Sequence, residues 1–168
     1  MILIASMFLV SIGYTMVIPF LPLYLLDIGV PEESIAIWTG VVFSSCFLVA
    51  GIMGPVWGKM ADTRGKKQMA IRAAVLLGCS YLFCALSQNA WQMTAARAFM
   101  GFSNGFVAAS MAIISVSADP KNLGATLGMG QTALIVGGIA GPLVGGTLAH
   151  LIGIRNTFFI CAAFLWFV

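Results

Sequence analysis

Arg97 is the residue whose chemistry most needs an explanation, because no other Asp, Glu, Lys or Arg lies between residues 73 and 118. In a membrane-spanning helix a buried arginine costs at least ~2.5 kcal/mol on insertion scales, so its side chain is expected to face protein or a water-filled cavity. The alternative is that the guanidinium snorkels to the lipid headgroups from a depth of roughly 10 Å. Asp27, at the end of the first apolar stretch, is the candidate carboxylate partner. We expect the two charges to approach each other in one conformation of the protein.

A second group of charges lies in the segment from Gly58 to Lys67, which reads GKMADTRGKK. Its bases alone are typical of a membrane anchor on the cytoplasmic side. Two glycines frame the segment and predict a tight turn between helices. An acid at a helix end can accept hydrogen bonds from the N-terminus of a neighbouring helix, where the dipole favours negative charge. We therefore predict a conformational-switch loop formed by Gly58, Asp62, Arg64, Gly65, Lys66 and Lys67.

No group of residues in the sequence is typical of an enzyme, a metal site or a nucleotide-binding loop. The four cysteines lie in apolar stretches and are interpreted as small buried hydrophobic residues. The bases sit in a few loops and do not form a face. We expect no catalytic residue, no cofactor, no metal and no nucleic-acid partner.

The elements that position these residues are membrane-spanning helices. Of the 168 residues, 61% are hydrophobic and 8% are charged, whereas an average soluble domain has about 25% charged residues. This composition excludes a soluble domain and a disordered chain. The uncharged runs are too long for barrel strands and predict α-helices. Within one bundle of residues 1–168 we predict spans at 4–26, 36–57, 68–87, 91–116, 123–149 and 156–168, the last too short to cross the bilayer and therefore incomplete.

The distribution of bases predicts the orientation. Six of the eight Lys and Arg residues lie at one end of the predicted bundle, between Lys59 and Arg72 and at Lys121. The positive-inside rule places this end, and with it the N-terminus, in the cytoplasm. We expect a multi-pass protein surrounded by the lipid bilayer of the plasma or inner membrane.

Glycine and proline form further motifs within the predicted spans. Prolines near the end of the first span are expected to bend it, and glycines spaced by four residues permit close approach of helices. The predicted packing and kink residues are Gly13, Pro19, Pro22, Gly101, Gly105, Gly137, Gly141, Pro142, Gly145 and Gly146.

Part of this pattern indicates an internal repeat. Gly13-Tyr14-Thr15 recurs as Gly101-Phe102-Ser103, and Gly54-Pro55 recurs as Gly141-Pro142, at offsets of 88 and 87 residues. Three spans per unit would make the second copy inverted. Chance is the alternative, because 19 glycines make such matches easy.

Taken together, the motifs resemble those of the major facilitator superfamily, and in particular its twelve-span drug:proton antiporters. The segment 58–67 is similar to the family loop G-x-[LM]-A-D-x-x-G-[RK]-[RK], with Thr63 where members often carry a base. Arg97 with Gly101 and Gly105 resembles the fourth-span motif implicated in proton coupling. The resemblance implies a proton carrier, for which Asp27 is the candidate here; His150 is a weaker one, and an acid in the C-terminal half is the alternative. The run 137–146 matches the fifth-span antiporter motif G-x3-G-P-x2-G-G, although Leu123 precedes the glycine that opens this span where members often carry a base.

The resemblance implies a fold and its partners. The chain is expected to be all-α, the N-terminal six-helix half of a major-facilitator bundle with its sixth helix incomplete, partnered by a C-terminal six-helix half. Spans 1 and 4 would line a central cavity, spans 2 and 5 would contact the other half, and spans 3 and 6 would face outward. The loop around Asp62 would steady the outward-open state, and the kink at Pro142 would serve as a hinge.

The resemblance also implies a function, which is proton-coupled efflux of hydrophobic or cationic drugs by alternating access, with the proton as coupling ion. Two alternatives stay open: a transporter of a polar metabolite, and a truncated membrane protein that does not transport. The chain alone is expected not to transport. The candidate cavity-lining residues are Tyr14, Phe20, Tyr24, Met100, Phe102, Asn104, Phe106 and Gln131.

Overall fold

Apolar helices form nearly all of the computed structural model, which describes residues 2–119 and 121–166. The α-helices in chain order are α1 (Ile2–Met16), α2 (Leu21–Asp27), α3 (Ile35–Arg64), α4 (Lys66–Leu86), α5 (Ala90–Ser103), α6 (Phe106–Ser117), α7 (Leu123–Ile152) and α8 (Ile154–Trp166). The 3-10 turns Ile18–Phe20 and Glu32–Ser34 precede α2 and α3. The predicted all-α class is confirmed, and the last two residues of the predicted sixth span lie outside the described residues.

Five segments are long and apolar enough to cross a bilayer, namely Leu3–Asp27, Glu32–Arg64, Lys66–Leu86, Ala90–Ser117 and Leu123–Ile152. We number them spans 1 to 5, and the shorter α8 is span 6. Span 1 joins α1 to α2 and span 4 joins α5 to α6. The observed helix ends lie within a few residues of the predicted ones except where spans 2 and 5 run longer.

The turn between spans 2 and 3 is shorter than predicted. Helix α3 continues through Gly58 to Arg64, and Gly65 alone makes the turn with a φ of +95°. Lys, Met, Ala and Arg are good helix formers, so most of the segment has no reason to leave the helix. Only a glycine adopts this left-handed φ without strain. The prediction of a turn framed by both glycines is therefore wrong at Gly58.

Spans 1 and 4 are interrupted near their middles. Span 1 leaves the α-helix after Met16, where Pro19 lacks the N–H that would continue the hydrogen-bond ladder. Span 4 is interrupted at Asn104 and Gly105, where Gly105 has a φ of +126° and its N–H donates to Oδ1 of Asn104 at 2.8 Å. The bend in span 1 was predicted, but the interruption in span 4 was not. Its signal was the Asn-Gly pair, a turn dipeptide inside an apolar run.

The packing of the spans follows the internal repeat. The main helix contacts join span 1 to span 5, span 2 to span 4, and span 3 to span 6. A repeat that relates spans 1, 2 and 3 to spans 4, 5 and 6 exchanges the first two contacts and maps the third onto itself. The interruption of span 4 begins at Asn104, 87 residues after the interruption of span 1 begins at Val17, which is the offset of the Gly-Pro motif. The structure therefore favours a repeat over chance.

Candidate functional site

A cavity of about 260 Å³ opens between spans 1 and 4, with span 3 at its base and span 5 at its side. We call it the 1–4 crevice. It lies beside the interruption of span 4, because residues on both sides of that interruption form its wall. Its lining residues are Val10, Ser11, Tyr14, Ala73, Leu77, Ser103, Asn104, Phe106, Val107 and Leu134.

The polar groups of the 1–4 crevice are few and mostly engaged within the protein. The Ser11 hydroxyl donates to the carbonyl of Leu134 at 2.6 Å, and the Ser103 hydroxyl donates to the carbonyl of Phe99 at 2.7 Å. None of the described lining residues is an Asp, Glu, Lys or Arg. Small-molecule sites are typically apolar pockets with a few placed polar groups. The crevice fits a lipophilic ligand better than a strongly polar one.

Three of the eight candidate lining residues, namely Tyr14, Asn104 and Phe106, line the 1–4 crevice. Tyr14 and Asn104 face each other across it from spans 1 and 4. Both are accessible, since Tyr14 is partly exposed and Asn104 is exposed.

Two other candidates are buried within the bundle and do not line the crevice. Tyr24 is 2% exposed, and its hydroxyl approaches the carbonyls of Cys84, Ala85 and Ser87 at 3.2–3.3 Å. These carbonyls lie at the C-terminal end of span 3, where the helix has no further N–H donors to pair with its last carbonyls. Met100 is 1% exposed and its sulfur contacts the guanidinium of Arg97. The prediction that Tyr24 and Met100 line a cavity is not met because both serve internal contacts.

The remaining three candidates lie away from the crevice. Phe102 packs edge-to-face on Trp57 of span 2, with ring centroids 5.0 Å apart. Phe20 lies against Gly146 of span 5. Gln131 is exposed on the outer face of span 5. Helical periodicity did not distinguish these faces in the sequence, because the spans are apolar all round.

Arg97 is buried between spans 1, 2 and 4 and is 2% exposed. Its Nη1 donates to the Met100 sulfur at 3.6 Å, and its guanidinium carbon lies 5.8 Å from the ring centroid of Phe43. Nε and Nη2 have no hydrogen-bond partner within the described protein. The side chain therefore does not snorkel to the headgroups in this structure. Asp27 is exposed, and the two side chains are not hydrogen-bonded to each other.

Part of the segment from Gly58 to Lys67 lines a second cavity, of about 360 Å³, between spans 2, 3 and 4. We call it the 2–3–4 cavity. Asp62 and Lys66 line it together with Arg72 and Asn104. Asp62, Arg64 and Lys67 are exposed, so these charges are accessible to another part of the protein.

The glycine stripe of span 5 packs directly on the backbone of span 1. A Cβ on Gly137 would lie 2.7 Å from the Phe8 carbonyl oxygen, and one on Gly141 would lie 2.8 Å from that of Ile12. One on Gly145 would collide with the Met16 carbonyl. Helix α7 passes through Pro142 without a break.

Two further glycines permit close packing elsewhere in the bundle. Gly101 of span 4 lies against the carbonyl of Cys46 in span 2, and Gly13 of span 1 lies against Leu165 of span 6. Both are buried. Span 4 thus approaches span 2 as closely as span 5 approaches span 1.

Comparison with known proteins decides the family. The chain matches the sequence profile of the Major Facilitator Superfamily over residues 3–168. This chain belongs to the Major Facilitator Superfamily. A similar relative is the "Multidrug resistance protein MdtG" of Proteus mirabilis (strain HI4320), 41% identical over 160 residues, which is 95% of this chain and 40% of that protein.

A second relative agrees with the first. The protein of the same name from Yersinia enterocolitica serotype O:8 is 39% identical over 160 residues, or 95% of this chain and 39% of that protein. The chain thus spans about two fifths of the length of the curated relatives that it matches. As a major-facilitator protein it is a multi-pass membrane protein of a transporter family and not an enzyme.

Within this superfamily fold, Tyr81 is a buried residue that the sequence did not reveal. It is 0% exposed, and its hydroxyl donates to the Gly13 carbonyl at 2.9 Å and lies 3.1 Å from that of Tyr14. These carbonyls belong to the last turn before the interruption of span 1. A tyrosine in an apolar run is a weak signal, because it suits many buried positions.

Proposed function

We propose that this chain forms the N-terminal half of a transporter that exports hydrophobic or cationic compounds in exchange for protons, by alternating access. The observation that carries the proposal is the 1–4 crevice, which is apolar, free of charged side chains among its described residues, and flanked by Tyr14. Aromatic faces attract lipophilic cations. The relatives named as multidrug resistance proteins support the same substrate class.

The outer faces of spans 2 and 5 support a partner body. Large apolar side chains are exposed along both, among them Ile37, Phe47 and Ile52 of span 2, and Ile139 and Leu143 of span 5. We propose that a C-terminal six-helix half covers parts of these faces and closes the crevice into a central cavity. The end of the bundle at Gly65 and the N-terminus would lie in the cytoplasm of an inner or plasma membrane.

Proton coupling is assigned to Arg97 and Asp27. Two guanidinium nitrogens of Arg97 are buried without a partner among the described residues, which is costly unless water or an anion binds them. We propose that the carboxylate of Asp27 approaches Arg97 in another conformation and that its protonation releases the pair.

The test is ethidium efflux from cells that express a chimera, in which this chain is joined to the part of the Proteus mirabilis relative that the alignment leaves uncovered. We expect efflux that the chain alone does not produce. Tyr14→Ala is expected to reduce it several-fold, because Tyr14 lines the crevice, whereas Phe20→Ala in the same span should reduce it less. Equal loss from both variants would contradict the crevice as the substrate site.

Transport of a polar metabolite is less well supported, because Ser11 and Ser103 donate to backbone carbonyls. Only Asn104 offers an exposed amide in the crevice. Absence of ethidium efflux from a folded chimera would favour the polar alternative.

A further inference from the structure

The interruption of span 4 leaves backbone groups that a continuous helix would pair with each other. The first residue of α6 whose N–H has a backbone acceptor is Ala109, which donates to Gly105 at 2.9 Å. In a continuous helix the N–H groups of Phe106, Val107 and Ala108 would pair with the carbonyls of Phe102, Ser103 and Asn104. A carbonyl without a partner is costly within a membrane. A side-chain donor that reaches one of these carbonyls therefore stabilises the interruption.

Two side chains from neighbouring spans bind them. Nε1 of Trp57 in span 2 donates to the Phe102 carbonyl at 2.8 Å. Nη2 of Arg72 in span 3 donates to the Asn104 carbonyl at 3.4 Å. The guanidinium carbon of Arg72 also lies 3.4 Å from the ring centroid of Trp57. The two side chains thus stack on each other and bind two of the three carbonyls that the interruption frees.

We infer that Trp57 and Arg72 are positioning residues that hold span 4 open at Asn104 and Gly105 and thereby shape the 1–4 crevice. Without them the two carbonyls regain partners only if the helix closes. Closure would move Asn104 and Phe106, which line the crevice. The functional part of this inference rests on the proposed role of the crevice as the substrate site.

The arrangement has a counterpart at the other interrupted span. Tyr81, from the same span 3 as Arg72, binds the carbonyls of Gly13 and Tyr14 before the interruption of span 1. One central helix therefore contacts both interruptions. This parallel favours a specific positioning role for Arg72 over general core packing.

The first test is amide hydrogen exchange at residues 106–108 of the chain in lipid nanodiscs. Trp57→Phe and Arg72→Gln are each expected to slow exchange about threefold, the scale of an interhelical hydrogen bond in a membrane, and about tenfold together. Trp57→Phe keeps an aromatic ring, so its exchange rates alone test the inference if Arg72→Gln does not fold. Unchanged or faster exchange at these amides would overturn the inference.

Matched controls use the same substitutions elsewhere. Trp91→Phe changes an exposed tryptophan that packs on Trp38. Arg155→Gln removes a donor to the Ala85 carbonyl, which ends span 3. Neither is expected to change exchange at residues 106–108, and slowing by either would count against a specific role for Trp57 and Arg72.

The second test is the concentration dependence of ethidium efflux by the chimera. Arg72→Gln is expected to raise the half-saturation concentration several-fold with a smaller change in maximal rate, and Arg72→Lys to restore much of the difference because it keeps the charge over Trp57. Slower exchange with an unchanged half-saturation concentration would overturn the link to the crevice. A chimera without any efflux would refute the proposed function, and the exchange measurement would still decide the positioning role.

Discussion

At the scale of residues, the buried charge of Arg97 is the feature that most needs an explanation. It is a cation at 2% exposure with two nitrogens unpaired within the described protein. The sequence predicted that it would face protein or a cavity, because a lipid-facing arginine is expensive. The contact with Met100 is an i, i+3 contact within α5, which helix spacing allows. The contact with Phe43 could not be predicted, because it arises only from the packing of span 2 on span 4.

The pairing of Asp27 with Arg97 can be tested by a double-mutant cycle on proton-driven ethidium efflux by the chimera. If the charges meet during transport, Asp27→Asn and Arg97→Gln together should cost little more than the more harmful single change, a coupling of at least about 1 kcal/mol. The pair Glu33→Gln and Arg97→Gln is the control, because Glu33 is an exposed acid near Asp27. Effects of Asp27→Asn and Arg97→Gln that simply multiply would contradict the pairing.

Single glycines of span 5 give a sharper test of packing. A Cβ on Gly141 would collide with the Thr15 hydroxyl and lie 2.8 Å from the Ile12 carbonyl, whereas one on Gly138 would meet only the Ser11 hydroxyl, at 3.9 Å. Gly141→Ala should therefore destabilise the chain by about 1–3 kcal/mol, the usual cost of overpacking. Gly138→Ala should be neutral or slightly stabilising. Thermal unfolding in detergent measures both, and equal melting temperatures would refute the close contact between spans 1 and 5.

At the scale of elements, the uncharged runs predicted the helices because backbone groups in lipid must pair within the helix. The sequence also predicted the bend near Pro19, because a proline has no N–H with which to continue the helical hydrogen bonds. It did not predict the interruption at Asn104 and Gly105, because an Asn-Gly pair is tolerated inside a helix at modest cost, and the donors Trp57 and Arg72 that reach the freed carbonyls come from other spans.

The turn between spans 2 and 3 offers an element-scale prediction. Gly65→Ala should destabilise the chain by about 1 kcal/mol or more, because Gly65 holds a φ of +95° that alanine adopts only with strain. Gly58→Ala should instead stabilise it by about 0.5–1 kcal/mol, since Gly58 is inside α3 with open space around its Cα. Unfolding midpoints in detergent compare the two. If Gly58→Ala destabilised the chain instead, that result would support the longer turn, framed by Gly58 and Gly65, that the sequence predicted.

At the scale of the whole molecule, the faces of spans 2 and 5 and the crevice between spans 1 and 4 are left open by this chain. The family resemblance predicted that spans 2 and 5 would offer contact faces. Span 1 packs on one side of span 5 and span 4 packs on one side of span 2, which leaves the opposite sides exposed. The glycine-to-backbone contacts use the inner face of each helix and leave its outer face exposed.

The orientation of the whole molecule is open to direct labelling. In a variant with the four native cysteines replaced by alanine, Gln88→Cys should react with a membrane-impermeant maleimide added to intact cells. Thr63→Cys, which is also exposed but lies at the opposite end of the bundle, should react only after permeabilisation. The reverse pattern would contradict a cytoplasmic N-terminus.

The central claim is that this chain supplies the substrate crevice of a proton-driven exporter. The most direct measurement is ethidium flux across liposomes that contain the purified chimera, with and without an imposed pH gradient. The account predicts ethidium movement against its concentration gradient that stops when the pH gradient is collapsed and is weakened by Tyr14→Ala. Flux that is indifferent to the pH gradient, or no flux from a folded chimera, would contradict it.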